Sequence, residues 1–315
     1  FWIKPSVRLL KKYLREHPVD VIVSSGPPHT MHLIGLGLQK ATGIPWVADF
    51  RDPWTNIDFY QELMLSSWAD RKHHRLEKAV VSQADRVVVV GNVMREEFEE
   101  IRGGDVEVIS NGYDAADVQV QPKECRDLTF SVVHIGLMNQ HRSHAAFWEA
   151  LAELKAEDPR FGDALELVLI GKVDVHARDA ISRNGLEKHT RYIDYLSHAE
   201  AVERQGRAQV LYLAINDTPN ARGVITGKIF EYLASSRPVL CLGPADGDAA
   251  AIINKTGAGK VAGFQDKEKI KAHLSHFFKL YQENQLEVDS KGVEIYSRRA
   301  LTGKFAGLFD ELIAT

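Results

Sequence analysis

From Asp20 onward, short runs of β-branched and other apolar residues alternate with amphipathic stretches of helical period. In the first part the runs are DVIVSSG, PWVADF, DRVVVVG and VEVISNG, with helical patterns near Thr30–Ala41, Gln61–Gln83 and Val93–Ile101. A polar stretch, YDAADVQVQPKECRD, carries Pro122 and reads as a linker. A second series then begins: FSVVHIG, LELVLIG, TRYIDY, VLYLAI, RPVLCLG and GKVAG, separated again by helices, with a helical stretch from Lys267 to the end. The runs are nearly continuous rather than alternating, as expected of strands covered by helices on both faces. Strand and helix in alternation predict parallel sheets of βαβ units. The expected fold class is therefore α/β, with two doubly wound domains facing a cleft. Their expected spans are 1–118 and 119–296, with a last helix at 297–315 available to pack back on the first. The first domain is shorter of strands and opens inside a helical pattern, which predicts that it lacks N-terminal residues.

The opening FWIKPSVRLLKKYLRE interleaves Phe1, Trp2, Ile3, Leu9, Leu10 and Leu14 with Lys4, Arg8, Lys11, Lys12 and Arg15. Such a basic amphipathic helix could rest on anionic lipid. The favoured reading is the plainer one, a helix that packs on the strand that follows with its cations in water. Composition narrows the classes further. Apolar residues make up 44% and charged residues 26%, enough for substantial cores, and the net charge of −4 gives no nucleic-acid footprint. No stretch approaches the roughly 18 apolar residues that span a bilayer. Cys125 and Cys241, in dissimilar contexts, argue for a reducing compartment rather than a disulfide framework.

In open parallel sheets ligands sit beyond the carboxyl ends of the strands, and the candidate chemistry gathers there. NARGVITGKIFEYLASSRPVL, from Asn220 to Leu240, nearly spells a phosphate-binding P-loop. It fails twice: Gly223 and Gly227 stand one residue too close, and Ile229 replaces the metal-binding hydroxyl. What remains is Thr226 as an N-cap, with Gly227 and Lys228 opening a helix whose first-turn amides and lysine charge suit an anion. The plainer alternative is a capped core helix with an exposed lysine. HIGLMNQHRSHAAFWEAL sets Gly136 and Arg142 between a strand and a helix starting near Ser143, where the guanidinium could clamp a diphosphate. Gly171 and Gly243 end two further strands.

In the first domain, SSGPPHTMHLIG places His29 and His32 one turn apart, and ADFRDPW crowds Asp49, Arg51, Asp52 and Trp54 behind a buried strand. So much charge at a sheet edge suggests function; an internal Asp–Arg brace is the structural alternative. Asp246-Gly247-Asp248 is a D-x-D, but its setting favours Asp248 as a helix cap over a metal ligand. His73 and His74 lie in a charged helix and read as solvated.

Taken together, SSGPPHTMHLIGLGLQKATGIPWVADFRDPW, RVVVVGN, VISNGYD, VVHIGLMNQHRSHAAFWEAL, LVLIGKVD and TGKIFEYLASSRPVLCLGPADGDAAAIINKTGAG resemble the retaining GT-B glycosyltransferases of the family-4 type. The resemblance implies a GT-B architecture of two Rossmann-like domains, the second binding a nucleoside-diphosphate sugar and the first the acceptor. It implies transfer with retention and without a metal or other cofactor. It also implies a glycan or lipid-linked acceptor, and a cytoplasmic setting near the inner membrane face.

By the same resemblance, Glu231 holds the nucleotide ribose, while Gly223 stands where a glutamate would contact the donor sugar. Leu137 and Arg142 occupy the positions of an arginine and a lysine, so Lys228 is expected to supply the missing cation. Arg51 falls where relatives carry a histidine. The expected catalytic set is Arg51, Asp52, Arg142 and Lys228. Gly136, Gly171, Thr226, Gly227 and Glu231 are expected on the donor, and His29, His32 and Asp49 on the acceptor side. A sugar-nucleotide epimerase of the same architecture and a non-catalytic nucleotide-sugar-binding scaffold are the alternatives.

Overall fold

The computed structural model describes residues 2–118 and 122–314; Phe1, linker positions 119–121 and Thr315 lie outside the described residues. Every apolar run forms a strand, and all pairings are parallel. The chain divides into two compact units, one built from residues up to Asn111 together with those from Arg298, the other from Gly112 to Ser297. The division falls before the linker, because Tyr113 is already part of the second unit: its amide donates to the Tyr296 carbonyl at 3.1 Å.

The first unit carries four strands in the order β1–β2–β3–β4: Ile22–Gly26, Trp46–Phe50, Arg86–Val89 and Glu107–Val108. Alternate residues of β2 serve opposite faces. Trp46, Ala48 and Phe50 join a core with Val80 and Val81 of helix α3 (Ser67–Gln83) and Met94 and Phe98 of α4 (Asn92–Arg102). On the reverse face, Val47, Val88 and Ile109 meet Leu301, Leu308 and Leu312 of the last helix, Arg298–Ala314. This two-sided cover is what the unbroken apolar runs require.

Two expectations for this unit need correction. The helical stretch read as 61–83 breaks into a short 3₁₀ turn, Tyr60–Leu63, and α3, because the Ser66 hydroxyl accepts from the Ala69 amide and starts a new helix. The opening helix α1 (Ile3–Glu16) packs not on the following strand but on helix α2 (Thr30–Thr42). Gly37 makes that approach possible, since a Cβ there would lie 2.8 Å from Val7 Cγ2. Trp2, Leu9, Leu10 and Tyr13 stay exposed. No helix among the described residues is long and apolar enough to cross a membrane.

The second unit is a six-stranded sheet in the order β10–β9–β8–β5–β6–β7. In chain order its strands are β5 (Phe130–Ile135), β6 (Leu165–Ile170), β7 (Thr190–Ile193), β8 (Val210–Ala214), β9 (Val239–Leu242) and β10 (Gly259–Ala262). One face is covered by α5 (Ala145–Glu157), α7 (Val175–Arg183) and α11 (Lys267–Gln282). The other is covered by α9 (Lys228–Ala234), through Ile229, Phe230 and Leu233, and by α10 (Asp248–Thr256). Strand order reverses between β5 and β8, so the crevice at their carboxyl ends is the topological switch point where such sheets bind ligands. At the opposite edge, buried Arg237 donates to the carbonyls of Ala208, Gln209 and Leu286 and to Gln209 Oε1 at 2.5–3.2 Å.

Candidate functional site

At the switch point the second unit brings together residues from β5, the loop after it, the end of β8 and α9. Gly136 closes β5 with φ +128°, a conformation that L side chains rarely adopt, and its amide donates to the Ile170 carbonyl at 2.7 Å. Lys228 lies across it: a Cβ on Gly136 would sit 2.3 Å from the lysine Nζ. Gly171, also at positive φ, closes against the Gly136 carbonyl, 2.9 Å from where its own Cβ would be. Gly136 therefore leaves room for the cation, and Gly171 lets the neighbouring strand end close against Gly136.

Arg142 supplies the second charge. Its Nε donates to Asn216 Oδ1 at 2.7 Å and its Nη1 to the Leu137 carbonyl at 3.1 Å, so the guanidinium plane is fixed from both sides of the switch. The two cations sense each other. Burial, then repulsion from Arg142, lowers the Lys228 pKa, with Glu231 acting in the opposite direction. Beneath them His134 is buried, its Nδ1 3.1 Å from the Tyr212 carbonyl and its Nε2 without a partner. Burial holds its pKa down at about 4, helped by Lys228 and Arg142.

Helix α9 is tied to β5 by Tyr232, whose hydroxyl accepts from the Ile135 amide at 3.2 Å. Thr226 does not cap this helix. Gly227 holds the cap position in helical geometry with no side-chain bond, and the Thr226 hydroxyl is buried without a partner. The helix is only seven residues long, so side-chain charge rather than the helix dipole dominates. Glu231, one turn on, accepts from Gln205 Nε2 at 3.0 Å. Arg142 held by two hydrogen bonds, Lys228 laid over a side-chain-free glycine and the unpartnered Thr226 hydroxyl give the second unit a cationic, donor-bearing edge of the kind that suits an anion.

The D-x-D is otherwise engaged. Asp246 pairs with Arg222 at 2.9 Å; Asp248 is the buried first residue of α10, with Gly247 rather than Asp248 at its cap. Among the described residues no three His, Cys, Asp or Glu side chains gather as a metal would need.

In the first unit, the charged residues at the β1 and β2 ends are mostly spent on one another. Arg51 grips the Asp49 carboxylate through Nε, at 2.8 Å to Oδ1, and through Nη2. It also reaches Asn111 Oδ1 at 3.3 Å and stacks over Phe305. Asp49 further accepts from the Ser25 hydroxyl at 2.8 Å. This is the brace that the sequence allowed as an alternative: it holds the strand end rather than offering a free cation.

His32 is fully buried against Phe50, with ring centroids 4.1 Å apart, and does not reach the surface. Trp46 Nε1 donates to Ser24 Oγ, which lies 2.9 Å from His32 Nδ1, while His32 Nε2, without a partner, faces Gly26. Its pKa is pushed down to about 3, by burial first and by His29 second. His29 stacks on Trp54 at 5.2 Å, has neither ring nitrogen bonded, and is held at about 4 by burial. Asp52 is exposed, its pKa raised by desolvation and then by Asp58. His73, read as solvated, is half-buried beside Trp54 and Tyr60; His74 is exposed.

Residues 4–112 match the family model described as a glycosyl transferase 4-like domain. The fold is GT-B. A glycosyltransferase from Rickettsia africae is similar over 99% of this chain and 81% of its own, with TM-score 0.71 and 15% identity. Sucrose-phosphate synthase from Thermosynechococcus elongatus matches over 98% of this chain and 77% of its own, with TM-score 0.69 and 15% identity. A Listeria monocytogenes protein assigned as a UDP-N-acetylglucosamine 2-epimerase matches less well: TM-score 0.60, 14% identity, 99% of this chain and 80% of its own. No curated protein matches the chain in sequence.

Three contributors went unread in the sequence. Asn216, directly after VLYLAI at the same strand edge as Gly136, carried a positional signal. Gln205, inside a charged amphipathic helix, carried none. His134 is hidden in an apolar run.

Proposed function

We propose that the chain transfers a glycosyl group from a nucleoside-diphosphate sugar to an acceptor hydroxyl, with retention of anomeric configuration. The observation that carries this reading is the pairing of Lys228, laid over Gly136, with Arg142, fixed by Asn216 and Leu137, at the switch point of the second unit. The leaving diphosphate gains negative charge as the glycosidic bond breaks. Cations already held in place stabilise that charge without reorganising, which is commonly the largest catalytic contribution. The unpartnered Thr226 hydroxyl would donate to a phosphate oxygen, and Glu231 would accept from the ribose hydroxyls. In this reading charge neutralisation falls to side chains rather than to a metal. On the acceptor side, in the first unit, Asp52 is the exposed group that would meet a substrate, while the His29 ring nitrogens are buried beside Trp54 and Arg51, Asp49 and His32 hold the strand ends in place.

The test is to incubate the protein with a panel of nucleotide sugars and follow release of nucleoside diphosphate, with and without simple glycoside acceptors. Release dependent on acceptor, with the product anomer matching the donor by NMR, supports the proposal. Conversion of the donor without any acceptor would favour epimerisation, and failure to bind any nucleoside diphosphate a non-catalytic role.

A further inference from the structure

Lys228 and Glu231 stand three residues apart on α9, the spacing at which opposite charges on a helix pair. Paired, they would quench each other and leave neither charge for a ligand. The structure avoids this: Lys228 forms no salt bridge among the described residues and lies over Gly136 instead. The Glu231 carboxylate is held by the amide of Gln205 at 3.0 Å. Gln205 comes from helix α8, His198–Arg207, far off in sequence, and is only 2% exposed. A long amide side chain is costly to bury and order, and here its donor is directed at a carboxylate, the stronger kind of hydrogen bond.

We infer that Gln205 is a positioning residue that holds Glu231 away from Lys228, so that one turn of α9 offers a cation and a carboxylate to the same ligand. This rests on the reading of Lys228 as a diphosphate contact. One Glu231 oxygen is fixed by Gln205, which sets the direction of the other. Without that bond the carboxylate would swing toward the lysine, and the loss would appear in phosphate affinity although Gln205 touches no phosphate.

The experiment measures binding of UDP, GDP and ADP by calorimetry, carrying forward the tightest, in wild type, Gln205→Met, Glu231→Gln, the double variant and Lys228→Met, with melting temperatures alongside. Gln205→Met is expected to weaken binding about tenfold, as loss of a group that orients a binding residue commonly does. The double variant should return to within about threefold of Glu231→Gln alone, because a neutral amide at 231 cannot quench Lys228. Gln205→Asn, too short to reach Glu231, should copy Gln205→Met if the latter folds poorly. Wild-type affinity in the Gln205 variants, or an equal loss with and without Glu231→Gln, overturns the inference while leaving the diphosphate reading intact. Wild-type affinity in Lys228→Met, or no binding of any of the three by wild type, overturns both.

Discussion

Replacing Lys228 by Met removes one charge and keeps the length and apolar stem of the side chain. In the unliganded protein that charge is held against its own preference: burial disfavours it, Arg142 repels it, and Glu231 only partly compensates. Lys228→Met is therefore expected to melt at or above the wild-type temperature. With a diphosphate bound, the balance reverses. A unit charge pair at about 4 Å is worth roughly 4 kcal/mol at an effective dielectric of about 20. After desolvation, about 2–3 kcal/mol should remain, a rise in Kd of roughly 30- to 150-fold for the tightest of UDP, GDP and ADP. Gly136→Ala offers an independent route to the same loss. Its Cβ would lie 2.3 Å from Nζ and 2.7 Å from Cε, so the far end of the lysine must move away, and φ +128° adds backbone strain. Both variants displace one cation, so their combination should lose about 2 kcal/mol less than the sum of the two. Calorimetry on the four proteins, with thermal melts alongside, completes the cycle. Strict additivity, or a folded Lys228→Met with wild-type affinity, would refute the assignment.

Asn216→Ala should lower turnover about tenfold with little change in melting temperature, because it frees Arg142 without removing it; a wild-type rate would show that the guanidinium needs no fixing. Acid should destabilise the protein from about pH 6.5 downward. His32, His29, His134 and His144, the last buried at the cap of α5, stay neutral when folded to about pH 3–4, whereas in the unfolded chain they take up protons below about 6.5. Stability is thus fully present above the unfolded value and lost as pH falls toward the folded ones, at up to about 1.4 kcal/mol per pH unit for each histidine. His32→Gln should reduce that slope by about one proton in denaturant titrations at several pH values, and an unchanged slope would contradict the neutral assignment. Arg237→Ala strands buried carbonyls of Ala208, Gln209 and Leu286 and should cost about 3–5 kcal/mol in equilibrium unfolding; a cost under about 1 kcal/mol would mean that water replaces the arginine.

The strands were legible because each is an apolar run bounded by glycine or polar residues, and parallel burial leaves that pattern no other reading. Helix limits were less so: the 3₁₀ turn ends at Met64, and Ser66 starts the next helix by a hydrogen bond that no periodicity records. Lys228, Arg142 and Gly136 could be placed at one sheet edge from spacing alone. Whether a charge is free or spent could not be read, because that depends on which strand lies alongside. Asp49 and Arg51 look like exposed chemistry in sequence, yet they close on each other and on Asn111. His32 looks like a helix-start ligand, yet Ser24 and Trp46 enclose it in the core. Gln205 becomes meaningful only when α8 delivers it to Glu231.

The chain enters the second unit at Gly112 and leaves it at Ser297, and the two passages are joined by the bridge between Tyr113 and Ser297. This fixes an order of events on the ribosome. The sheet of the first unit emerges early, but the helix that covers Val47, Val88 and Ile109 is made only after the whole second unit. During that interval one face of the nascent sheet is bare, an invitation to chaperones or to aggregation. The second unit has no such wait: every strand and helix of its two cores lies in one continuous stretch, so it can close behind the exit tunnel while its predecessor is still unfinished.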